Sequence, residues 1–437
     1  MAFLHGVIVP HRKNTANKAA IKMDAPNEIK LPMVMHIGAP ASPVVKAGDE
    51  VKVGTLVAEQ TGFVSSPVYS SVSGTVKKID DILLSNGKKA PAIMIESDGK
   101  MEIDESVKAP TINSREDLIE AIKNSGMVGL GGAGFPTYVK YSPKDFSLIK
   151  DLIINGAECE PYITSDSLVM ETNADDILFS IKTLDKYYNF ERIIIGIEKN
   201  KPEAIKSMKK IAKEYDKIQV AVLPSRYPQG GEKVLVYHTT GKIIGEGKLP
   251  LDVGCIVSNS TTIASLGKYF KTGMPLVEKC VTVDGSAVEN PQNVIVPIGT
   301  SLKDVFDFCG GFKEEPTKVI YGGPMMGIAV PSLELPIMKN TNAIIAFKGK
   351  DGILKKPTAC IKCGACASHC PFGLQPPAIA MAKKNKDYEA LEKLGINQCM
   401  ECGCCAFVCP ANRPIVQNNK LAKMELRAWK EAKNNGN

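Results

Sequence analysis

The sequence is poor in the residues that most protein-borne catalysis and most membrane anchors need. Its 437 residues include five histidines and one tryptophan, and no Ser/His/Asp or Cys/His grouping stands out, which argues against hydrolysis by a side-chain triad. No apolar stretch approaches the roughly 18 residues that span a bilayer. The best candidates, residues 193–197 and 343–347, have strand length. The opening residues 1–6 lack a basic n-region, a long apolar core and a small-residue cleavage site, so no secretory signal is expected. An odd number of cysteines, thirteen, argues against a closed disulfide framework. A reducing, cytoplasmic compartment follows.

The 44% hydrophobic content is enough for several cores, and the length suggests three or four modules. The net charge of +7 is uneven: from Asp351 onward 13 Lys/Arg stand against 7 Asp/Glu, which is +6 of the total. A solvated surface could carry that charge. A basic C-terminal end also suits docking to an acidic redox partner or to anionic lipid.

Eight of the cysteines form two runs, Cys360-x2-Cys363-x2-Cys366-x3-Cys370-Pro371 and Cys399-x2-Cys402-x2-Cys405-x3-Cys409-Pro410. This is the spacing of bacterial two-cluster ferredoxins, in which three thiolates of a run hold one [4Fe–4S] cluster and the fourth closes the other. The expected ligand sets are Cys360, Cys363, Cys366 and Cys409 for cluster 1, and Cys399, Cys402, Cys405 and Cys370 for cluster 2. Zinc is the plainer alternative, but structural zinc sites usually take separated CxxC pairs. Cys404 breaks the register and reads as a packed bystander. The isolated Cys159, Cys255, Cys280 and Cys309 read as core residues.

Along the chain, residues 32–96 are rich in Val, Gly, Pro and Ser with turn signals, as small β modules are. Residues 44–54 and 73–76 resemble the hairpin pair of a biotinyl/lipoyl-type barrel-sandwich. No lysine lies between Gly54 and Val76, so the attachment point for a swinging cofactor is missing and a structural or docking role is expected. From about 111 to 270 helix and strand alternate, with helices at 114–125 and 201–217 and buried strands at 152–155 and 193–197, the pattern of an α/β sheet. Residues 274–337 return to short strands (280–283, 294–297, 318–321) around one helix at 302–308. The 28 residues between the cysteine runs, 371–398, read as helix, and residues 417–433 as a lysine-rich helix that needs a partner surface. Four units are expected, at 1–105, 106–272, 273–345 and 346–437, in a multidomain α/β and α+β fold.

One further motif is Gly129-Leu130-Gly131-Gly132-Ala133-Gly134-Phe135-Pro136-Thr137. Four glycines in six residues let backbone N–H groups approach a ligand closely, with Lys140 downstream to neutralise phosphate. Tight turns also select glycine, and the loop departs from the GxGxxG dinucleotide fingerprint. Together with Asn155-Gly156-Ala157-Glu158-Cys159-Glu160-Pro161 and Tyr227-Pro228-Gln229-Gly230-Gly231-Glu232-Lys233, it looks like the flavin and NADH site of the complex I flavoprotein subunit. With His36-Ile37-Gly38-Ala39-Pro40, the barrel-sandwich and the two cysteine runs added, the chain resembles, over essentially its whole length, the RnfC family of the Rnf electron-transport complex.

The resemblance implies an unmodified barrel-sandwich, a complex I-type Rossmann-like domain, a β-grasp domain and a helical ferredoxin domain. It implies FMN, NAD(H) and two [4Fe–4S] clusters. Gly129, Gly131, Gly132, Gly134, Gly230 and Gly231 would lie along FMN and nucleotide, with Lys140, Asn259 and Thr262 at the FMN phosphate. Asn155, Glu158 and Glu232 would bond the flavin or nicotinamide end, Glu160 the NADH ribose, and Phe135 would pack on the nucleotide or in the core. Ala157 and Gly231 depart from the complex I pattern. The implied role is a peripheral subunit on the cytoplasmic face of the cell membrane, exchanging electrons between NADH and ferredoxin with ion pumping. Its partners would be the other subunits, especially an iron–sulfur subunit, with ferredoxin reached indirectly and no nucleic acid. Two alternatives stay open: a microcompartment corrinoid reductase, in which the barrel-sandwich follows the clusters, and a non-catalytic relay with a decayed flavin site.

Overall fold

The computed structural model describes residues 5–435; residues 1–4, part of the stretch searched for a signal sequence, lie outside them. Near the N-terminus, Glu28–Pro32, Lys89–Ser97, Gly74–Leu83 and Glu50–Val51 form one sheet in that order, and Ser42–Pro43, Leu56–Glu59 and Val68–Tyr69 form a second. Ile29, Leu31, Val57, Val72, Ile93 and Ile95 are fully buried between them, as alternating strands with one inward face require. This apolar core continues through Met127, Leu130 and Tyr138 into the next domain. The barrel-sandwich is thus fixed in the molecule.

The second domain opens with α1 (Arg115–Asn124), capped reciprocally by Ser114 and Asp117. A parallel sheet follows, with strands β1 (Asp151–Gly156), β2 (Arg192–Glu198), β3 (Ile218–Leu223) and β4 (Cys255–Asn259) in the order β3-β2-β1-β4. Helices α2 (Ser165–Thr172), α3 (Ala174–Tyr188), α4 (Pro202–Glu214), α5 (Glu232–Thr240) and α6 (Ser260–Thr272) connect and cover it. Helix cover on both faces is why β1 and β2 read as near-continuous apolar runs. The helix expected at 201–217 stops at Glu214, because Tyr215 is extended. The strand order reverses between β1 and β4, where Asn155 and Asn259 stand in register. Open α/β sheets bind ligands outside the carboxyl ends of strands at such a switch point.

The third domain carries β5 (Glu278–Asp284), β6 (Gln292–Pro297), α7 (Leu302–Phe308), β7 (Lys318–Tyr321) and β8 (Ala343–Phe347). Its sheet order is Ile21–Lys22, β6, β5, β8, β7, Ile328–Ala329. Two boundaries differ from the sequence expectation. β8 runs past 345 because it pairs with both β5 and β7, and Ile21–Lys22 leaves the N-terminal unit to pair with Val294 and Ile295.

The last domain has α8 (Pro376–Lys384), α9 (Tyr388–Lys393) and α10 (Ile415–Asn435). The stretch 371–398, expected as helix, is broken where Lys386 takes a left-handed φ of 55°. The lysine-rich helix finds its partner surface: Ala422 and Leu426 are buried against Ile379 and Leu391, and Trp429 stacks on Tyr388 at 5.7 Å. No helix among the described residues is long and apolar enough to cross a membrane.

Candidate active site

A cleft of about 730 Å³ lies at the switch point, and all four domains wall it. Such a volume suits a cofactor-sized ligand. The glycine loop contributes Gly131, Gly132 and Ala133; the β1 end contributes Asn155 and residues 157–160; the turn before α5 contributes Gly230 and Gly231, and α5 its first residue, Glu232; and Asn259 ends β4. His36 and Ile37 reach in from the barrel-sandwich, Tyr321 and Met326 from the third domain, and Met400, Glu401 and Lys420 from the last.

Five expected residues do not line the cleft; they build its walls. The Gly129 N–H donates to the Phe135 carbonyl (2.8 Å), which closes the glycine loop on itself, and the Ile37 N–H donates to the Gly134 carbonyl (3.0 Å). Phe135 is half-buried. The Thr262 hydroxyl accepts from the Leu130 N–H (3.0 Å), pinning the loop to α6. Lys140 Nζ donates to Glu232 Oε1 (2.8 Å) and to the Val257 carbonyl (2.9 Å).

Asn259 caps α6 by accepting the Thr262 N–H (3.1 Å), and its amide donates to Asp166 Oδ2 (2.7 Å). Buried Asp166 also accepts from the Thr261 hydroxyl (2.6 Å), and the Ser260 hydroxyl is buried without a partner. The N-terminus of this helix carries partial positive charge. Across the switch point, Asn155 Nδ2 donates to the Gly230 carbonyl (2.9 Å) and ties the two loops together.

The two glutamates after β1 are held differently. Glu158 Oε1 accepts the Asp166 N–H (2.8 Å), while its buried Oε2 has no partner. Glu160 accepts the backbone N–H groups of Met325 (3.0 Å) and Met326 (2.9 Å) from the third domain. Burial lifts each carboxyl to about 7, with Lys13 opposing the rise and, at Glu158, Asp166 adding to it. Lys13 shapes this loop by donating to the carbonyls of Glu158, Glu160 and Ile163 at 3.0, 2.8 and 2.5 Å.

The cysteine runs fold as twins. In each loop the residue before the second cysteine and the glycine after it are left-handed: Lys362 and Gly364 in the first, Glu401 and Gly403 in the second. A short helix then follows in each, Ala365–Ser368 and Cys404–Phe407. Cys370, Cys399, Cys402 and Cys405 line one small cavity with Phe372, Leu374 and Val416, and Asn419 Nδ2 donates to Cys399 Sγ (3.5 Å). A tetrahedral zinc, with Zn–S bonds of about 2.3 Å, would hold its sulfurs about 3.8 Å apart. Among the described residues no three His, Cys, Asp or Glu side chains converge for a single ion. A ring of four thiolates around a small apolar space fits a cubane, with the fourth thiolate drawn from the other run. In the first set, Cys366 lies close enough to Cys363 and Cys409 to feel their charges. Cys360 and Cys363 are exposed.

The second loop is clamped to the cleft. Tyr227 Oη donates to the Cys402 carbonyl (2.7 Å), and buried Cys404 packs with Val7, Val9 and Tyr227 while also lining the cysteine cavity. A Cβ on Gly403 would come within 2.8 Å of the Met325 carbonyl. A Cβ on Gly231 would meet the Met400 methyl at 2.4 Å, so the absent Gly231 side chain is what lets Met400 sit over the cleft.

The family models agree with this anatomy. Residues 1–100 match the RnfC barrel sandwich hybrid domain, 122–268 the Nuo51 FMN-binding domain, 280–329 the SLBB domain and 356–421 the 4Fe-4S dicluster domain. The chain is 44% identical to a subunit of the proton-translocating ferredoxin:NAD(+) oxidoreductase complex of Clostridium ljungdahlii, over 95% of this chain and 92% of that one.

The chain belongs to the RnfC family.

Another member, from the Na(+)-translocating ferredoxin:NAD(+) oxidoreductase complex of Acetobacterium woodii, is 39% identical over 99% of this chain and 98% of its own. Among solved structures, an NAD+-reducing [NiFe]-hydrogenase in the air-oxidized state shares the fold, with a TM-score of 0.50 and 16% identity over 73% of this chain and 64% of that one. As an RnfC-family protein with these domains, the chain has FMN and two [4Fe–4S] clusters as cofactors. Sequence reading missed Lys13, Asp166 and Met400, which no local spacing marks, and gave Tyr227 no role of its own.

Proposed function

We propose that this chain is the NAD(H)-reactive subunit of an ion-translocating ferredoxin:NAD oxidoreductase, moving electrons between NAD(H), FMN and its two clusters. The observation that carries the reading is the shared wall of the cleft: the glycine loop and the Asn155–Glu160 segment on one side, Met400 and Glu401, which lie between Cys399 and Cys402, on the other. Bound FMN supplies the exchange between two-electron and one-electron transfer. The chain's own residues bind and orient. Gly131, Gly132, Gly230 and Gly231 give close backbone approach, Asn155 fixes the loop at the flavin, and Glu158, Glu160 and Glu232 set polarity around it. Asn259 and Thr262 shape the start of α6 for the phosphate, and Lys140 is close at hand behind Glu232.

In this reading cluster 2, on Cys399, Cys402, Cys405 and Cys370, faces the flavin. Cluster 1, on Cys360, Cys363, Cys366 and Cys409, is the contact with the next carrier. Exposure supports that order, since Cys360 and Cys363 are open to solvent while Cys402 is buried, and Ile361 beside them is 67% exposed. The basic charge of this end favours an acidic iron–sulfur subunit as that carrier, with ferredoxin reached through it and the complex held at the cytoplasmic face of the cell membrane. The relay alternative rested in part on Gly231, whose missing side chain the Met400 contact accounts for.

The test is reconstitution with iron, sulfide and FMN. Protein that binds FMN and bleaches in both its flavin and cluster absorbance on adding NADH bears the proposal out. Cluster colour with no response to NADH refutes it.

A further inference from the structure

Glu158 belongs to two cavities. It lines the cleft, and on its other side it lines a smaller cavity of about 90 Å³ bounded by Lys13, Thr15, Ser167, Glu171, Lys201 and Asn293. That cavity ends at Lys18 and Glu203, which are exposed. Most of its lining residues have polar or charged side chains, and its volume holds a few waters, as bridging water requires. The Glu158 side chain separates the two spaces. It is 6% exposed, one oxygen is fixed by the Asp166 N–H, and Oε2 is buried with no partner.

The chemistry of the site creates a need for such a group. Oxidation of NADH to NAD+ releases two electrons and one proton. The electrons leave through the clusters one at a time, and the proton has to leave the cleft by another route. We propose that Glu158 is the proton relay of this site, passing the proton between the cleft and the second cavity, where water carries it to Glu171 and Glu203 at the rim. In the direction of NAD+ reduction the same path delivers the proton. The relay rests on the cleft being the flavin and nucleotide site.

The surroundings match the task. Lys13 and Lys201 both donate to the Glu158 carbonyl, at 3.0 and 3.1 Å, and Glu198 neutralises Lys201 at 2.7 Å. Asp166 on α2 and Cys280 on β5 complete the titratable groups that face it. Burial, the dominant effect, holds the carboxyl near 7, where a group gives and takes protons with equal ease at neutral pH.

Three measurements test the relay. In cofactor-free Glu160→Gln, which removes the other carboxyl that burial lifts to about 7, a protonated-carboxyl infrared band should titrate near neutral pH and vanish when Glu158→Gln is added. In reconstituted protein mixed with NADH and an artificial acceptor, proton release followed with a pH indicator should slow by roughly tenfold or more in Glu158→Gln, compared at equal FMN and NADH occupancy. Ser167→Leu, which fills the second cavity, should slow release similarly; it also decides the matter if Glu158→Gln does not fold. Unchanged proton release in these variants, weaker NADH binding with unchanged proton timing, or no titrating band overturns the relay alone. Failure of the wild-type protein to bind FMN overturns the cleft reading and the relay with it.

Discussion

The sharpest test of the cleft is a single methyl group at residue 230. A Cβ on Gly230 would stand 2.3 Å from the Ala157 carbonyl oxygen, about 1 Å inside ordinary contact. Both partners are backbone, so no side chain can swing aside. Gly230→Ala therefore has to push the Tyr227–Glu232 turn away from the β1 end, and it strains the Asn155 amide bond to the Gly230 carbonyl. Overpacking of this kind costs about 1–3 kcal/mol, and loss of that hydrogen bond adds about 0.5–1.5 kcal/mol. The sum, about 1.5–4.5 kcal/mol, is roughly a 10-fold to 2,000-fold change in an equilibrium constant. Because a displacement near 1 Å in a positioned site costs about 100-fold in rate, the larger loss should fall on flavin binding and reduction. The assay is thermal unfolding with and without FMN, followed by NADH bleaching of the reconstituted protein. Gly231→Ala is the comparison, since its new Cβ meets the flexible end of Met400, with the Pro228 carbonyl at 3.2 Å, and should cost about 1 kcal/mol, the low end of overpacking. A Gly230→Ala protein that binds FMN and reacts with NADH like the wild type refutes the reasoning.

Other outcomes follow from the same geometry. Cys360→Ala and Cys409→Ala should each remove the same half of the iron, and the double variant no more; loss of nearly all the iron in the double variant breaks the cross-closed assignment. Cys363→Ala should remove one cluster's absorbance and leave flavin bleaching by NADH intact, since cluster 1 lies downstream. Lys140→Ala should leave the melting temperature within a few degrees but weaken FMN binding more than tenfold, measured by fluorescence titration, as loss of a charged hydrogen bond does. Glu160 sits near 7 when folded, against an ordinary value of 4.5, because of burial, so folding favours its neutral form. Its contribution is greatest below pH 4.5 and falls as pH rises toward 7, by up to about 1.4 kcal/mol per unit. In the cofactor-free protein, Glu160→Gln should therefore gain stability relative to wild type between pH 5 and 7. A difference in melting temperature that is flat with pH contradicts this.

Local chemistry made much of this molecule legible. The helix expected at 114–125 begins at the Ser114 cap, the apolar runs of β1 and β2 announced an α/β sheet, and the cysteine spacing announced both loops. What stayed hidden depends on contacts distant in sequence. Asp166 has no motif, and its role appears only where Asn259, 93 positions later, donates to it. Tyr227 stood in the motif that resembles the flavin and NADH site, but its tie to the second cysteine loop appears only where its hydroxyl meets the Cys402 carbonyl 175 residues away. Gly231 looked like decay in the flavin motif, whereas it makes room for Met400. The break at Lys386 escaped because nothing in Asn385-Lys386-Asp387 forbids helix; α8 and α9 each turn there to reach α10.

One buried lysine gives the barrel-sandwich a meaning that its missing attachment lysine does not. Lys339, from the third domain, is 1% exposed and donates to the Ser66 hydroxyl (3.1 Å), the Pro67 carbonyl (2.5 Å) and the Gly126 carbonyl (2.8 Å). A single buried amine thus bolts three domains together a few residues upstream of the glycine loop. A domain family known for swinging arms serves here as a rigid bracket, and a load applied to its outer face is transmitted to the floor of the cleft instead of being absorbed by a hinge.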